Sequence, residues 1–512
     1  MDDLTALNAR RRAADLAALG DDGRADVVVI GGGITGAGIA LDAASRGLSV
    51  VLVEKHDLAF GTSRWSSKLI HGGLRYLASG NLGIARRSAA ERGILMSRNA
   101  PHLVSAMPQL VPLLPSMGRA QRALVRVGFR AGDLLRLMAG TSSAVLPGPR
   151  RISAAEAVAM APTVRREGLD GALLAYDGQL IDDARLVVAV ARTAAGHGAR
   201  VLTRVGASAA TGTSVRLTDQ LTGEDMDLRA GAVINATGVW AAEVDPSIKL
   251  RPSRGTHLVF DAAAFGNPTA ALTIPIPGET NRFVFAMPEQ LGRVYLGLTD
   301  EEAPGPIPDV PEPTPQEIGF LLDTVNTALQ GTLTTADVIG AYAGLRPLID
   351  VGEGRTSDLS RDHAVLESDS GMLSIVGGKL TEYRLMAEDV VDRAVAGRGL
   401  GAGPCRTRDL PLVGAPGHPA AAGPAPVGAP ASLVARYGAE SAAVLTAARC
   451  DRPAAPVAEG IDVTRAEFEF AVTAEGALDA GDILDRRTRI GLVDTDRQRA
   501  AEAVGEFLAT SP

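Results

Sequence analysis

Three glycines near the start of the chain have the spacing that binding of a dinucleotide requires. Gly31, Gly33 and Gly36 form a G-x-G-x-x-G run directly after the apolar segment 27–30. The first glycine permits a tight turn, the second lets the backbone approach a pyrophosphate, and the third allows helix and strand to pack closely. Glu54 ends a second apolar segment, where a carboxylate accepts hydrogen bonds from ribose hydroxyls. This βαβ pattern predicts a dinucleotide site and leaves FAD and NAD open.

A second stretch, Gly61 to Leu77, combines small hydroxyl residues, paired glycines and closely spaced basic groups. It lacks the periodicity of an amphipathic helix or strand. Its composition suits a backbone that passes close to a large cofactor, with cations directed at an anion. The residues concerned are Ser66, Ser67, Lys68, His71, Gly72, Gly73, Arg75 and Tyr76. A polar surface loop is the alternative interpretation.

Two further predicted strand ends carry small residues that let a cofactor approach the backbone. The apolar run 232–235 stops at Ala236, Thr237 and Gly238, and this tripeptide together with the first motif favours FAD. The apolar run 373–376 stops at a glycine pair, and a helix is predicted soon afterwards, so a second helix N-terminus would face a phosphate or a flavin. The residues at this second turn are Gly377, Gly378, Lys379, Leu380 and Thr381.

Size and composition limit the classes of protein that the chain can belong to. Its 512 residues correspond to about three domains. A net charge of -8 argues against general nucleic-acid binding. The two cysteines, Cys405 and Cys450, give neither a disulfide framework nor a metal pattern. No run reaches the roughly 18 uncharged apolar residues that span a bilayer, so we expect a soluble protein or one held at a membrane surface.

Residues 118–140 have helical periodicity, with arginines on one face and apolar residues towards the other. The basic face carries Arg119, Arg122, Arg126 and Arg130, and the apolar face carries Leu124, Val127, Ala131, Leu134, Leu135 and Met138. With Arg136 and Asp133 the segment has five arginines and one aspartate, a charge of +4 in an acidic chain. Such a helix is typical of the interface of an anionic membrane, and an ordinary surface helix is the alternative.

The run Ser66-Ser-Lys-Leu-Ile-His-Gly-Gly-Leu-Arg-Tyr-Leu77 after such a glycine turn resembles the FAD-dependent glycerol-3-phosphate dehydrogenases. These belong to the flavoproteins that are similar to D-amino-acid oxidase. Gly255-Thr-His257 resembles the family segment that brings a histidine to the substrate. Arg346 in Tyr342-Ala-Gly-Leu-Arg-Pro347 resembles the substrate arginine of the family, and Arg361-Asp-His363 is also family-like. The resemblance covers roughly residues 26–400.

The resemblance implies FAD as the cofactor and oxidation of sn-glycerol 3-phosphate to dihydroxyacetone phosphate by hydride transfer to the flavin. Electrons would then pass to a membrane quinone. Because respiratory members of the family work at the membrane surface, it also favours a membrane role for 118–140. We therefore expect a cytoplasmic protein, peripheral at the inner face of the cell membrane, and a homodimer.

The resemblance also divides the chain. An N-terminal arm, 1–24, precedes an FAD-dependent oxidoreductase region, 25–400, in which a Rossmann-like α/β domain is combined with an antiparallel β-sheet substrate (cap) domain. The FAD-binding parts are about 25–100, 170–245 and 340–400, and the cap parts are about 101–169 and 246–339. A linker and a C-terminal helical domain fill 401–512. The Pro/Ala/Gly-rich stretch 411–431 predicts a linker or a mobile loop.

Oxidation of a secondary alcohol needs a hydride acceptor, which a flavin supplies, and a group that takes the hydroxyl proton. The substrate phosphate needs cations, for which Arg75, Arg346 and Lys379 are candidates, with Tyr76 as a hydrogen-bond donor. His257 is the first candidate for the proton acceptor. Lys379 or Arg346 could instead polarise the reacting oxygen.

Three alternatives to a quinone-dependent dehydrogenase stay open. An oxidase of the same fold would give electrons to oxygen and release hydrogen peroxide. A flavin-bearing binding or docking protein would show no turnover, although the cationic pocket disfavours it. An amine-oxidising relative is the third alternative, and its substrate would not require so many cationic groups.

Overall fold

The computed structural model describes residues 4–73, 81–279, 282–350, 362–421 and 423–509. Its helices are α1 (Ala9–Asp22), α2 (Ile34–Ser45), α3 (Leu82–Ile94), α4 (Arg119–Met138), α5 (Ala154–Met160), α6 (Asp183–Gly196), α7 (Ala241–Val244), α8 (Pro315–Asn326), α9 (Tyr383–Arg398), α10 (Ala431–Tyr437), α11 (Ser441–Ala447), α12 (Arg465–Thr473) and α13 (Asp494–Ala509). Short 3-10 turns join several of these helices.

The strands fall into two sheets. They are β1 (Arg24–Ile30), β2 (Val50–Glu54), β3 (Leu69–Ile70), β4 (Val104–Pro112), β5 (Arg150–Ile152), β6 (Ala172–Leu180), β7 (Arg200–Thr203), β8 (Val205–Ser208), β9 (Ser214–Asp219), β10 (Asp225–Asn235), β11 (Ser253–Asp261), β12 (Ala271–Pro275), β13 (Phe283–Glu289), β14 (Arg293–Gly297), β15 (Glu301–Glu302), β16 (Gly340–Arg346), β17 (His363–Glu367) and β18 (Leu373–Gly377).

The first sheet has the order β17-β18-β10-β1-β2-β7, with β9 on β10 and β8 on β9. Its central strands β18, β10, β1, β2 and β7 are parallel. Such strands are covered on both faces and need continuous apolar sequence, which the buried run 27–30 supplies. Helices α2, α6 and α9 pack together in one layer on this sheet. The predicted Rossmann-like domain and its β1-α2-β2 unit are confirmed.

The second sheet has the order β15-β11-β14-β13-β12-β4-β6-β3, with β16 on β11 and β5 on β6. Its pairs are antiparallel except for β4 with β12. Helix α8 packs against this sheet around a separate apolar core. This mixed sheet is the predicted cap, and the antiparallel arrangement expected for β11, β13 and β14 is confirmed.

Two segments lie in a different sheet from the one that the sequence ranges assign to them. The range 170–245 was expected in the nucleotide-binding domain, but β6 pairs with β4 over nine residues of the second sheet. The range 340–400 was likewise expected there, but β16 pairs with β11 over its full length. Continuous backbone hydrogen bonding decides the sheet to which a strand belongs, so the cap includes β6 and β16 and the nucleotide-binding domain resumes at β17.

The C-terminal part is helical, as predicted, and contains α10 to α13 around its own apolar cores. The expected linker or mobile loop at 411–431 is wrong for its first residues. Leu412, Val413 and Ala415 are buried, and the Val413 N–H donates to Thr193 Oγ1 of α6 at 3.0 Å. Burial of these apolar side chains fixes this stretch onto the nucleotide-binding domain.

Helix α4 exposes its apolar stripe instead of burying it. Five apolar side chains are 49–65% exposed, and they are Leu124, Val127, Leu134, Leu137 and Met138. Val125 and Leu135 are buried and hold the helix to the protein. Among the described helices, none is long and apolar enough to cross a membrane.

Candidate active site

The glycine turn between β1 and α2 has room only for backbone. Gly31 has φ +111°, and a Cβ atom there would lie 2.7 Å from the Ala236 carbonyl oxygen. A Cβ atom at Gly36 would lie 1.9 Å from the Gly31 oxygen. Gly33 caps α2, whose first N–H groups have no intrahelical acceptor. A bare backbone turn at a helix N-terminus fits the pyrophosphate of a dinucleotide.

Glu54 closes the same turn from the end of β2. Its carboxylate accepts the Gly32 N–H at 2.7 Å and the His56 N–H at 2.8 Å. Burial raises its pKa above the ordinary value, although both hydrogen bonds act in the opposite direction. The acid therefore lies where β2 meets the glycine turn, and its contact with a ribose stays a prediction.

The strand end at Ala236–Gly238 lies beside this turn, and its contact with the cofactor stays a prediction. The Ala236 N–H donates to the Ile30 oxygen at 2.9 Å. Thr237 donates from its hydroxyl to Asn235 Oδ1 at 2.7 Å, and Gly238 has φ +61°. The turn and the strand end therefore form one continuous backbone edge at the carboxyl ends of β1 and β10, where open α/β sheets bind their ligands.

The second glycine turn follows β18. Gly377 and Gly378 have φ +77° and +78°. A Cβ atom at Gly377 would lie 2.6 Å from the Asp362 oxygen, and one at Gly378 2.5 Å from Met386 Sδ. The predicted helix start at Thr381 is a 3-10 turn, Leu380–Glu382, in which Thr381 is buried and after which α9 begins. The turn presents backbone, and its contact with the flavin stays a prediction.

Lys379 begins this 3-10 turn but has partners within the protein. Its Nζ donates to Ser88 Oγ at 2.6 Å and pairs with Glu382 Oε1 at 3.1 Å. Glu382 is fully buried, so it needs a cation nearby. The predicted role of Lys379 in substrate binding would therefore compete with this ion pair.

The serine turn, residues 66–68, is held by one buried carboxylate. Asp183 Oδ2 accepts from the Ser66 N–H at 2.9 Å and from the Ser66 hydroxyl at 2.7 Å. Lys68 is 1% exposed, with its Nζ 3.3 Å from the same oxygen. Burial alone would raise the pKa of Asp183, but the positive charge of Lys68 lowers it below the ordinary value. The Ser66 and Lys68 side chains thus stabilise the turn, and their predicted contact with the cofactor stays a prediction.

Ser67 points the other way and reaches His257. The Ser67 Oγ lies 2.9 Å from His257 Nε2, and the imidazole stacks on the Tyr342 ring with centroids 4.7 Å apart. His257 is 1% exposed, and its Nδ1 has no hydrogen-bond partner among the described residues. Burial, followed by the charges of Lys68 and Arg346, lowers the pKa of His257 well below its ordinary value. The imidazole is therefore neutral near pH 7.

Arg346 lies on the same sheet face as His257. In the β11–β16 register Ser253 is opposite Arg346 and His257 is opposite Tyr342. The guanidinium group lies along β11, because a Cβ atom at Gly255 would be 2.4 Å from Arg346 Nη2. It donates to Asp300 Oδ1 at 3.1 Å and to Ser253 Oγ at 3.3 Å. The glycine at 255 thus lets a cation extend towards the neutral histidine.

His71, Gly72 and Gly73 form a separate corner below α3. His71 Nδ1 lies 3.1 Å from Asp177 Oδ2, and Arg92 donates to Asp177 Oδ1 at 2.6 Å. A Cβ atom at Gly72 would collide with the Arg92 guanidinium, and Gly73 has φ +81°. This corner carries glycines where α3 approaches closely, and its cofactor role stays a prediction. The predicted residues Arg75 and Tyr76, and the family-like Arg361, lie outside the described residues.

Several residues that the sequence pattern did not mark support this site. Asp183 binds Ser66, and Asp177 binds His71 and the Gly72 N–H, so these two acids anchor the two halves of the 61–73 stretch. Glu289 accepts from Gln179 Nε2 at 2.7 Å, and burial raises the pKa of Glu289 to about 8. Arg489 reaches the site from the C-terminal part. The chain carries these acids and arginines in ordinary local contexts, so no local signal marks them.

The structure thus brings together a backbone cradle for a dinucleotide and, on the adjoining cap sheet, a neutral histidine beside a guanidinium. The cradle consists of the Gly31–Gly36 turn and the Ala236–Gly238 strand end. A buried neutral imidazole can accept a proton, and a guanidinium can bind a phosphate through two N–H groups. Lys379 donates to Ser88 and Glu382.

Comparison with known proteins agrees with this geometry. The family model described as "FAD dependent oxidoreductase" matches residues 26–384. The model described as "C-terminal domain of alpha-glycerophosphate oxidase" matches residues 405–511. Glycerol-3-phosphate dehydrogenase 1 of Mycobacterium tuberculosis is 74% identical over 511 residues, covering 98% of each chain.

Two solved structures have a similar fold. The glycerol-3-phosphate dehydrogenase from Bacillus halodurans complexed with FAD has a TM-score of 0.73 and 27% identity, covering 98% of this chain and 93% of that one. L-alpha-glycerophosphate oxidase from Mycoplasma pneumoniae with FAD bound has a TM-score of 0.56 and 17% identity, covering 76% and 99%. FAD is therefore the cofactor, and the resemblance noted in the sequence is confirmed. The chain belongs to the FAD-dependent glycerol-3-phosphate dehydrogenases.

Proposed function

We propose that the protein oxidises sn-glycerol 3-phosphate to dihydroxyacetone phosphate. The observation that carries the proposal is the neutral, buried His257 on the same sheet face as Arg346, beside the FAD-binding domain. The 74% identical relative is named a glycerol-3-phosphate dehydrogenase, which supports the same substrate here. Bound FAD supplies the hydride acceptor.

His257 acts as the proton acceptor in this proposal. Its Nε2 already faces a hydroxyl, that of Ser67, at 2.9 Å. A substrate hydroxyl at a similar distance would be within reach for proton transfer. Because burial keeps the imidazole neutral, it is ready to accept a proton near pH 7 without first losing one.

Arg346 binds the phosphate. Asp300 and Ser253 hold its guanidinium group, so the side chain loses little further freedom when a phosphate binds. The guanidinium group of Arg346 carries a permanent positive charge and a planar set of N–H donors, which suit it to a phosphate dianion. Lys379 remains a second candidate cation, in competition with Glu382.

We further propose that electrons pass to a quinone at a membrane surface. The support is α4, which combines an exposed apolar stripe with exposed arginines at Arg119, Arg126 and Arg130. Such a helix fits the interface of an anionic bilayer. A location at the inner face of the cell membrane and a homodimer remain part of the proposal, and flotation with vesicles and sedimentation test them.

An oxidase is the second candidate. The C-terminal family model that matches 405–511 is described by an alpha-glycerophosphate oxidase, which favours it. The two candidates share substrate and flavin reduction, and differ only in the acceptor. Oxygen uptake with peroxide formation against quinone reduction, measured on the same reduced enzyme, separates them.

The test of the substrate is an anaerobic visible spectrum of the FAD-loaded protein. We expect the flavin band near ~450 nm to bleach when sn-glycerol 3-phosphate is added. Glycine, as an amine substrate, and glycerol, which lacks the phosphate, serve as controls and should leave the band unchanged. A band that persists with sn-glycerol 3-phosphate would remove the proposed substrate, and bleaching by glycine would favour the amine-oxidising alternative.

A further inference from the structure

One segment of the C-terminal domain lies directly behind the histidine. This segment, residues 489–493, is called the wedge below, and it includes the 3-10 turn Ile490–Leu492. Val493 and Leu492 pack in one apolar cluster with Tyr342 and Tyr295 of the cap sheet. A Cβ atom at Gly340 would lie 2.2 Å from the Leu492 oxygen, so the wedge touches the backbone of β16. The wedge therefore supports the ring on which His257 stacks.

Arg489 extends from the wedge to the serine turn. It is 1% exposed, and its Nη2 donates to the Arg64 oxygen at 2.6 Å. Its Nε lies 3.1 Å from Asp182 Oδ2, and its guanidinium carbon lies 5.3 Å from the Trp65 ring centroid. One fully buried side chain therefore contacts both residues that precede the serine turn and the aspartate that precedes Asp183.

A continuous series of contacts connects Arg489 to His257. Asp182 caps α6 through the Arg185 N–H at 2.8 Å, and the next residue, Asp183, binds Ser66 and Lys68. Ser67 lies between Ser66 and Lys68 in the sequence, and its hydroxyl faces His257 Nε2.

Tyr342 connects the serine turn to His257 by a second series of contacts. Its hydroxyl donates to the Ser66 oxygen at 3.0 Å, while its ring stacks on His257. The Ser67 hydroxyl and the Tyr342 ring both contact His257. Both are therefore held by a frame of contacts that Arg489 and the wedge complete.

We propose that Arg489 is a positioning residue for the Ser67–His257 pair, so that the C-terminal domain completes the proton-accepting side of the active site. The inference rests on the proposed function in placing proton transfer at His257. Productive geometry is demanding, because a displacement of about 1 Å remote from the reacting atoms can reduce a rate about 100-fold.

Other buried ion pairs also attach the C-terminal domain. Arg185 pairs with Glu475, and Arg192 pairs with Glu440 at 2.7 Å. Arg192 is as buried as Arg489 and lies at the same domain interface. Its hydrogen bonds among the described residues go to Thr5 and Glu440 and not to the serine turn. Arg192→Met is therefore a matched control for the loss of a buried interdomain arginine.

The experiment compares Arg489→Met, Arg489→Lys, Arg192→Met and the parent, all loaded with FAD. Stopped-flow reduction of the flavin by sn-glycerol 3-phosphate gives the limiting rate and the apparent dissociation constant separately. We expect Arg489→Met to lower the limiting rate by about 100-fold with substrate affinity nearly unchanged. Arg489→Lys, which retains a cation for Asp182, should recover part of the rate, and Arg192→Met should keep the parent rate even if its Tm falls.

A second readout is independent of turnover. In protein with ¹⁵N-labelled histidine, the imidazole signals of His257, assigned with His257→Gln, should move in Arg489→Met and stay in place in Arg192→Met. If Arg489→Met does not fold, the same comparison is made with Arg489→Lys, for which a shifted signal and a reduced rate are expected.

An Arg489 variant with the parent rate and unshifted imidazole signals would overturn the inference, and so would equal losses in Arg192→Met. Failure of the proposed function is recognised separately, because the parent itself would then show no flavin reduction by sn-glycerol 3-phosphate.

Discussion

His257 and Arg346 differ in what their surroundings do to their charge. His257 is buried between Tyr342 and Ser67, where burial, Lys68 and Arg346 all oppose a positive imidazolium. Arg346 carries the permanent charge of a guanidinium and lies beside the Asp300 carboxylate. One sheet face therefore carries both a neutral base and a cation, which have separate roles.

The lowered pKa of His257 predicts the acid limit of the reaction. A base with a depressed pKa stays unprotonated to lower pH, so activity persists below the ordinary histidine pKa of about 6.5 and is lost as pH falls through the depressed value. The pH profile of kcat/KM in the parent measures this limit, and His257→Gln should lose most of the activity at every pH. An acid limb centred at or above 6.5 would contradict the assignment.

Arg346→Ala should raise KM for sn-glycerol 3-phosphate by about 10- to 100-fold, because a hydrogen bond to a charged group contributes about 1.5–3 kcal/mol. Steady-state kinetics with quinone or dye as acceptor measures it. Arg254→Ala is the control, since Arg254 lies on the opposite face of β11 and pairs with Glu317. Unchanged KM and kcat in Arg346→Ala would show that the phosphate binds elsewhere.

Sequence reasoning finds residues whose role depends on their own backbone and misses those whose role depends on distant partners. Gly31 and Gly36 are predictable because a local turn excludes any side chain there. The local sequence predicts Lys68 at the cofactor, but it does not predict the pairing of Lys68 with Asp183, 115 residues away. Arg489 was part of a basic run near the C-terminus, and it meets Arg64 across 425 residues. Local spacing carries no information on such contacts.

At the scale of elements, β16 and α4 show what the local sequence leaves out. The family-like segment marks Arg346 but does not identify the neighbour of β16, and pairing with β11 places Arg346 beside the histidine strand. The pattern of α4 predicts an amphipathic helix but not which side faces water. The structure buries Val125 and Leu135 and leaves the broader apolar stripe in solvent.

The exposed side of α4 predicts binding to anionic vesicles. Changing Arg119, Arg126 and Arg130 to Gln should weaken binding by about 3 kcal/mol, roughly 100-fold, at about 1 kcal/mol for each arginine near the surface. Arg122 is left unchanged because it donates to the Leu114 oxygen at 2.8 Å. Co-sedimentation with phosphatidylserine vesicles measures the effect.

The control for the vesicle experiment removes the same charge elsewhere. Arg10, Arg24 and Arg229 are exposed and lie away from α4, so their triple change to Gln should leave binding nearly intact. Equal loss in both triple variants would indicate an effect of net charge alone, and equal binding by the α4 variant and the parent would reject the membrane role.

At the scale of the whole molecule, buried ion pairs attach the C-terminal domain. Asp57, in the loop after β2, is fully buried between Arg486 and Arg487, at 2.6 Å and 2.9 Å. These two guanidinium groups lower the pKa of Asp57 from 3.8 to about 2, against the effect of burial. The basic run at 486–489 therefore faces inward, where its charges are matched.

Asp57→Asn should destabilise the protein by about 3–5 kcal/mol at pH 7, because it leaves two buried cations without their carboxylate. The Asp57 contribution is present above its ordinary pKa and is lost as pH falls towards about 2, so the variant should also lose part of the acid dependence below about pH 4. Urea unfolding at several pH values measures both effects. Asp227→Asn, at an exposed pair with Arg216, is the control and should change little.

The position of the wedge has a consequence for how the enzyme is made. Ribosomes deliver the glycine turn first, the histidine strand about halfway through and residues 489–493 near the end of this sequence. Domains generally fold as they emerge, N-terminal parts first. A nascent chain can therefore complete its flavin cradle about halfway through synthesis, once the Ala236–Gly238 strand end has emerged, while the frame behind His257 stays open until the C-terminal helices have left the ribosome. Translation order would then keep the oxidation chemistry silent in unfinished chains.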